Sequence, residues 1–303
     1  MMPAMSIGHT PESVKLGDLT VHRMGFGAMQ LPGPNVWGEP KDPARARAVL
    51  TKVVELGIDL IDTSWYYGPH VANRLIAETL HPNAKNLVIA TKLGGRRTDD
   101  GGWAPFIRPE ELRKGCEEDL QTLKRDVIDV TQLRWMSGAG VTFAEALDGM
   151  LTLKSEGKIR HIGLSNVTLV ELEQALVKTP IVSVQNLYNV AQGERRLAGL
   201  PHMLVADQER MVDMCAEKQI AFMPFFPLAI PGPNKVGAPA VEAVAKKRNV
   251  TPPQIALAWL LARSPSMLPI PGTSSPEHLV ENWEARDIVL TKEEIAAISD
   301  ARA

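Results

Sequence analysis

Asp62, Tyr67 and Lys92 are the residues of this sequence best suited to moving a proton. The stretch 61-IDTSWYYGPH-70 holds an acid, a hydroxyl, two tyrosines and a histidine, and two of the chain's three tyrosines, Tyr66 and Tyr67, stand in it side by side. It begins inside one apolar run, and Lys92 closes another, 87-LVIATK-92. A free phenol has a pKa of about 10, too high to shuttle a proton easily near neutrality. A nearby ammonium stabilises the phenolate and lowers that value. A buried lysine in turn needs a counter-charge, which Asp62 can supply. A Tyr–Lys–Asp group of this kind is a general-acid unit for protonating a developing alkoxide. The plainer alternative is a structural salt bridge with a tyrosine packed over it.

Such a group works only if the ends of the apolar runs meet in space. The runs are 24-MGFGAM-29, weakened by its glycines, then 59-DLIDT-63, 87-LVIATK-92, 127-VIDVTQL-133, 161-HIGLSN-166, 181-IVSVQN-186, 220-IAFMPFF-226 and 267-MLPIPG-272. Most are continuously apolar rather than alternating, as expected of strands buried on both faces. Helical periods fill the intervals. Ala46, Val49, Leu50 and Val53 form one stripe, with Pro43 at its entry and Gly57 at its exit. Leu112, Cys116, Leu120 and Leu123 form another. Capping boxes are expected at Thr142/Glu145, Thr168/Glu171, Thr251/Gln254 and Thr291/Glu294.

This alternation predicts a single α/β domain over residues 1–303, a (β/α)₈ TIM barrel. The segment 14-VKLGDLTVHR-23 adds an N-terminal β-hairpin that plugs one end. Extra loops or helices at the barrel mouth are expected at 94-GGRRTDDGGWAPF-106 and 228-LAIPGPNKVGAP-239. An open doubly wound sheet is the runner-up, but no G-x-G-x-x-G follows the first strand.

Composition excludes several function classes. The net charge is −2 with charges spread along the chain, so neither nucleic acid nor a charge-driven partner is expected. No window approaches the ~18–20 apolar residues of a membrane span. No signal peptide is evident, and two cysteines far apart on helical stripes fit a reduced, cytoplasmic protein. No metal-ligand spacing is present.

In barrels of this kind, sites lie at the C-terminal ends of the strands. The candidates there are Met29 and Gln30, residues 62–67, Lys92, Arg134 and Trp135, Ser165 and Asn166, Gln185 and Asn186, Phe225 and Phe226, and residues 272–275. With these, 62-DTSWYYG-68, 90-ATKLG-94, 161-HIGLSN-166, 182-VSVQNLYN-189 and 270-IPGTSSPEHLVEN-282 resemble the aldo-keto reductases, in family order and over nearly the whole chain. Within that family, 61-IDTSWYYGPHVAN-73, 133-LRWM-136 and 225-FFPL-228 look most like a bacterial subgroup that includes pyridoxal reductases.

The resemblance implies NADPH-dependent reduction of an aldehyde or ketone to an alcohol, with NADH as a possible substitute. Tyr67 would be the general acid, and Asp62 and Lys92 would tune it. Ser165, Asn166 and Gln185 would bind the nicotinamide carboxamide. Phe225, where the family usually has tyrosine, would stack on the nicotinamide ring, with Pro227 and Leu228 beside it. Met29, Gln30 and Gly272 would line the cofactor groove. Thr273, Ser274 and His278 would face the 2′-phosphate, and Glu281 and Asn282 the adenine. Ser274 and His278 stand where basic residues are common, so the phosphate site is expected to be less positive than usual. Arg134 replaces the family's histidine, as is normal in the subgroup. Arginine can stabilise an alkoxide electrostatically but does not titrate. His70 is a second candidate for the missing imidazole.

Trp37, Trp65, Trp103 and Trp135 are expected around the mouth, where they could stack on a flat ring such as a pyridine. Arg96 and Arg97 suit a phosphate contact or, more commonly, a solvated pair. Pyridoxal is the favoured substrate. The alternatives are a bulky sugar, steroid or toxin ketone, a nicotinamide-binding regulatory subunit with little turnover, and an aldolase using Lys92 as nucleophile. Oligomeric state and physiological direction are not legible at this level.

Overall fold

In the computed structural model, which describes residues 12–81, 86–190, 207–228 and 239–302, the apolar runs form parallel strands and the striped segments pack around them as helices. Strands β3 (Phe26–Gly27), β4 (Leu60–Asp62), β5 (Val88–Arg97), β7 (Ile128–Arg134), β8 (Ile159–Ser165), β9 (Ile181–Gln185) and β10 (Ala221–Phe222) pair in that order, all parallel.

Residues 267–272 supply the eighth stave and close the barrel. The amide of Leu268 donates to Phe222 O at 2.8 Å on one side, and the amides of Gly25 and Gly27 donate to Pro269 O and Pro271 O at 2.9 and 3.3 Å on the other. The segment is not a regular strand because Pro269 and Pro271 have no N–H to give to a ladder. Closure is tight. A Cβ at Gly27 would lie 2.5 Å from Ile270 O, and one at Gly272 would lie 2.6 Å from Gly27 O, so only glycine lets these two ends meet.

The barrel interior is apolar, lined by Leu60, Val88, Ala90, Val130, Val182, Ala221, Met223 and Leu268. The hairpin of β1 (Ser13–Leu16) and β2 (Leu19–His22) adds Leu16 and Val21 to that cluster and so plugs one end. Asp18, in its turn, pairs with Arg160 and His161 at the start of β8 and ties the plug down.

The helices are α1 (Pro43–Glu55), α2 (Val71–Leu80), α3 (Pro109–Leu123), α4 (Phe143–Ser155), α5 (Leu169–Lys178), α6 (Gln208–Glu217), α7 (Pro239–Arg248), α8 (Pro252–Arg263), α9 (Pro276–Glu284) and α10 (Lys292–Arg302). The buried residues of α1 are Ala46, Val49, Leu50 and Val53, the stripe its spacing predicts. Each large side chain so buried contributes about 1.5–3 kcal/mol. All four expected capping boxes form, each satisfying amides that the first helical turn cannot pair.

One expected loop proves to be ordered structure. Strand β5 does not stop at Lys92 but runs on to Arg97, and the chain turns back antiparallel through β6 (Trp103–Phe106). The glycines and charges of this segment conceal the pairing, since Gly94 and Gly95 oppose Phe106 and Pro105 across the ladder. Residues 229–238 of the other expected loop lie outside the described residues. Among the described residues no helix is long and apolar enough to cross a membrane, and no cluster of histidine, cysteine and acidic side chains is suited to a metal. Both cysteines are free and buried.

Candidate active site

Parallel pairing brings the C-terminal ends of β4, β5 and β9 to one end of the barrel, and each contributes one buried polar side chain. Lys92 Nζ donates to Asp62 Oδ1 at 2.5 Å and to Thr63 O at 3.1 Å. Gln185 Nε2 donates to the other carboxylate oxygen, Oδ2, at 2.8 Å. Asp62 and Lys92 are each 3% exposed and Gln185 is 1% exposed. Each oxygen of the Asp62 carboxylate therefore has a donor. A buried charge is tolerable only when it is paired and hydrogen-bonded in this way.

Tyr67 lies over this pair, with Lys92 Nζ 5.0 Å from its ring centroid. The expectation that Lys92 lowers the phenol's pKa is corrected here. Burial, and next the negative charge of Asp62, hold the Tyr67 hydroxyl above the ordinary phenol range, and Arg134 opposes them. The reason is geometric. Lys92 faces the ring, and its charge is largely cancelled by the carboxylate it touches. Tyr66 is 1% exposed, and its ring meets Tyr67 edge-on at 5.4 Å between centroids.

The segment carrying Tyr67 is braced from behind. Thr63 Oγ1 donates to Asn73 Oδ1 at 2.8 Å, and Asn73 Nδ2 donates to Asp119 Oδ1 at 2.7 Å, which links β4 to α2 and α3. Asp119 is fully buried, and burial pushes its carboxyl up to about 7. Nothing in the local sequence around Asp119 signals this role, because Asn73 lies 46 positions away.

Arg134 neither points freely to solvent nor bridges Asp62. Its Nη1 donates to Ser165 Oγ at 3.2 Å, and its guanidinium lies 5.3 Å from the Phe225 ring centroid. His70 is set aside from this cluster. It adopts a left-handed backbone at φ 64°, its Nδ1 is 3.8 Å from Glu118 Oε2 on α3, and its ring lies 5.8 Å from Trp65.

The residues expected to hold the cofactor are spread from these strand ends to α9. Ser165, Asn166 and Gln185 are buried at the mouth, and the amide of Asn166 donates to Gln185 O at 3.0 Å. The Gln185 amide group is turned to Asp62, not simply free for a carboxamide. Phe225 and Leu228 are half-buried and Pro227 is buried. Met29 and Gln30 lie in a short turn after β3, with Gln30 Cγ close to Gly272. Thr273 Oγ1 accepts from Ser275 N at 3.0 Å, and Ser275 caps α9, whose first turn carries exposed His278. Glu281 is half-buried and Asn282 buried farther along α9.

A cation also arrives here from another element. Arg45 of α1 donates through Nε to Ser274 O at 3.1 Å and through Nη2 to Glu277 Oε2 at 2.9 Å. Sequence inspection misses Arg45 because 229 positions separate it from Ser274.

The four tryptophans divide into two pairs. Trp65 is 9% exposed and lies against α3, where a Cβ at Gly115 would stand 2.8 Å from its Nε1. Trp135 packs edge-on against Phe143 of α4 at 5.5 Å between centroids. These two pack against the helices beside the strand ends. Trp37 and Trp103 are 40% and 42% exposed and stand at the rim itself. Between them sits Arg97, which is 8% exposed and is therefore not the solvated residue expected.

The aldo/keto reductase family model matches residues 23–303. The chain is 43% identical over 288 residues to pyridoxine 4-dehydrogenase of Escherichia coli, covering 93% of this chain and 96% of the relative. It is 40% identical to an uncharacterized oxidoreductase of Schizosaccharomyces pombe, covering 95% and 89%. Among solved structures, a thermostable aldo-keto reductase in complex with epalrestat superposes with a TM-score of 0.78 at 25% identity, over 95% of this chain and 99% of the other. An aldo/keto reductase of Klebsiella pneumoniae in complex with NADP and acetate superposes with a TM-score of 0.74 at 25% identity, over 95% and 94%. The chain belongs to the aldo/keto reductase family. It is thereby an oxidoreductase that interconverts carbonyl compounds and alcohols.

Proposed function

We propose that the chain reduces a planar aromatic aldehyde of the pyridoxal type to its alcohol with NADPH, Tyr67 giving the proton. The observation that carries this reading is the buried Asp62–Lys92 pair beneath the Tyr67 ring at the strand ends. A general acid must hold its proton until negative charge develops on the substrate oxygen. Tyr67 meets that requirement across the neutral range. Arg134 is the positive group that opposes Asp62 at the Tyr67 hydroxyl, so a forming alkoxide here gains favourable electrostatics from its guanidinium.

The residues present fit the cofactor. Bound NADPH supplies the hydride. Phe225 offers an aromatic face half-open to the mouth, stiffened by the Arg134 guanidinium on it. Ser165, Asn166 and Gln185 supply amide and hydroxyl groups at the same end of the barrel. Thr273, Ser274 and His278 lead into the N-terminus of α9, which favours an anion. Arg45 adds the guanidinium that the Ser274 and His278 positions lack, so the preference for NADPH over NADH rests partly on α1. The E. coli relative's name supports pyridoxal chemistry, and the exposed Trp37 and Trp103 rings suit a flat substrate. The free, buried cysteines accord with a cytoplasmic setting.

The test is NADPH oxidation with a panel of aldehydes and ketones that includes pyridoxal, comparing wild type with Tyr67→Phe. Turnover should fall by about a hundred- to ten-thousand-fold in the variant, with NADPH affinity unchanged. Turnover that survives would move the proton donor elsewhere. NADPH binding with no turnover on any substrate would favour a regulatory role.

A further inference from the structure

Arg97 stands at the end of β5 with every described polar partner a backbone carbonyl. Its Nη1 donates to Asn35 O and to Val36 O, both at 3.0 Å. Its Nε donates to Gly102 O at 3.2 Å and its Nη2 to Gly101 O at 2.5 Å. One planar fork thus joins the 33–38 loop to the turn of the β5–β6 hairpin, two segments that share no element. Lysine has neither the fork nor the fixed donor directions to do the same.

The carbonyls it holds belong to a strained backbone. Asn35 and Val36 both have φ of 59°, and for a β-branched residue that is costly and persists only where the surroundings enforce it. The guanidinium is also flanked by two rings, 4.3 Å from the Trp103 centroid and 5.2 Å from the Trp37 centroid. Each contact connects onward to the candidate acid. Trp37 bridges to Gly68, next to Tyr67, where Gly38 N donates to Gly68 O at 2.7 Å. Trp103 meets Tyr66 edge-on at 5.6 Å, and Tyr66 meets Tyr67 at 5.4 Å.

We propose that Arg97 is a positioning residue for acceptor specificity. It fixes Trp37 and Trp103 as two immobile walls of the mouth, so that a planar aromatic carbonyl compound is held for reduction at Tyr67. The inference rests on the aromatic-aldehyde reading above. Pre-set aromatic walls raise affinity by removing the ordering cost that mobile side chains impose on binding. A small aliphatic aldehyde gains little from them.

The experiment compares wild type, Arg97→Lys, Arg97→Ala, Trp103→Ala and the Arg97→Ala/Trp103→Ala double variant. Three quantities are read: kcat and KM for pyridoxal and for propanal, the NADPH dissociation constant by fluorescence titration, and the near-ultraviolet circular dichroism of the tryptophans. Both Arg97 variants should raise KM for pyridoxal by about tenfold, with kcat for propanal and NADPH affinity within about twofold of wild type. The double variant should lose less than the product of the two single losses, because Arg97 acts in part through Trp103. Arg97→Ala should lose part of the tryptophan band while its far-ultraviolet spectrum is unchanged.

Equal losses on both aldehydes, multiplying effects in the double variant, or an unchanged tryptophan band would overturn the proposal. If wild type shows no preference for pyridoxal over propanal, the substrate reading fails instead. The circular dichroism of Arg97→Ala then still decides whether Arg97 fixes the rings.

Discussion

The strand-end cluster and the rim of the same mouth are built on opposite plans. Asp62 and Lys92 come from the adjacent strands β4 and β5 and Gln185 from β9 across the barrel, and each is at least 97% buried. Their positions follow from ladder register, which a barrel cannot change locally without moving a whole strand. Trp37, Arg97 and Trp103 come from a loop and a hairpin, and two of the three are well exposed. Their arrangement depends on one guanidinium and four carbonyl groups. On the proposed reading the chemistry sits on parts that cannot shift, while substrate choice sits on parts that a few contacts hold. Substitution at the first should damage stability and turnover together. Substitution at the second should change selectivity alone.

The sharpest way to break that contrast is stability measurement on one member of each region. Asp62→Ala leaves the Lys92 ammonium buried and unpaired, which costs about 3–5 kcal/mol in urea unfolding. Trp103→Ala, at a half-exposed position, should stay within about 1 kcal/mol of wild type. If the two variants lose similar stability, the rim is as integral to the fold as the barrel.

Asp119 extends the rigid side of the comparison and makes it pH-dependent. Its carboxyl is raised from 3.8 to about 7 by burial, so the folded protein binds that proton more tightly than the unfolded chain. The resulting stabilisation is full below the unfolded value and is lost as pH rises through about 7. Asp119→Asn removes the dependence. The variant should therefore gain stability relative to wild type as pH rises from about 4 to about 7, on the order of 1 kcal/mol for each pH unit, and level off above that. Melting curves at several pH values check it, and a difference that shrinks with rising pH would contradict the buried-acid account.

The smallest effect concerns the groove beyond the mouth. Arg45→Ala should weaken NADPH binding about three- to tenfold while leaving NADH unchanged, with the NADPH penalty diminishing in high salt. Fluorescence titration with each cofactor reads this directly. Equal weakening for both would show that Arg45 acts only through its bond to Ser274 O.

Much of this architecture was legible beforehand because it depends on neighbours in sequence. The α1 stripe, the four capping boxes and the N-terminal hairpin all follow from residues a few positions apart. The triad of Asp62, Tyr67 and Lys92 was legible because strand ends can be found from the runs that precede them. Proline made 267–272 irregular without removing it from the barrel, and glycine hid the β5–β6 pairing.

What the chain determined by itself was therefore the period, the punctuation and the residue types at each strand end, since these are short-range properties. Tertiary structure alone decided which tryptophans face outward, that Arg97 and Arg45 reach across to distant segments, and that the Tyr67 pKa moves up rather than down. Each of those depends on burial or on the direction of a charge, and neither exists until distant parts of the chain are packed together.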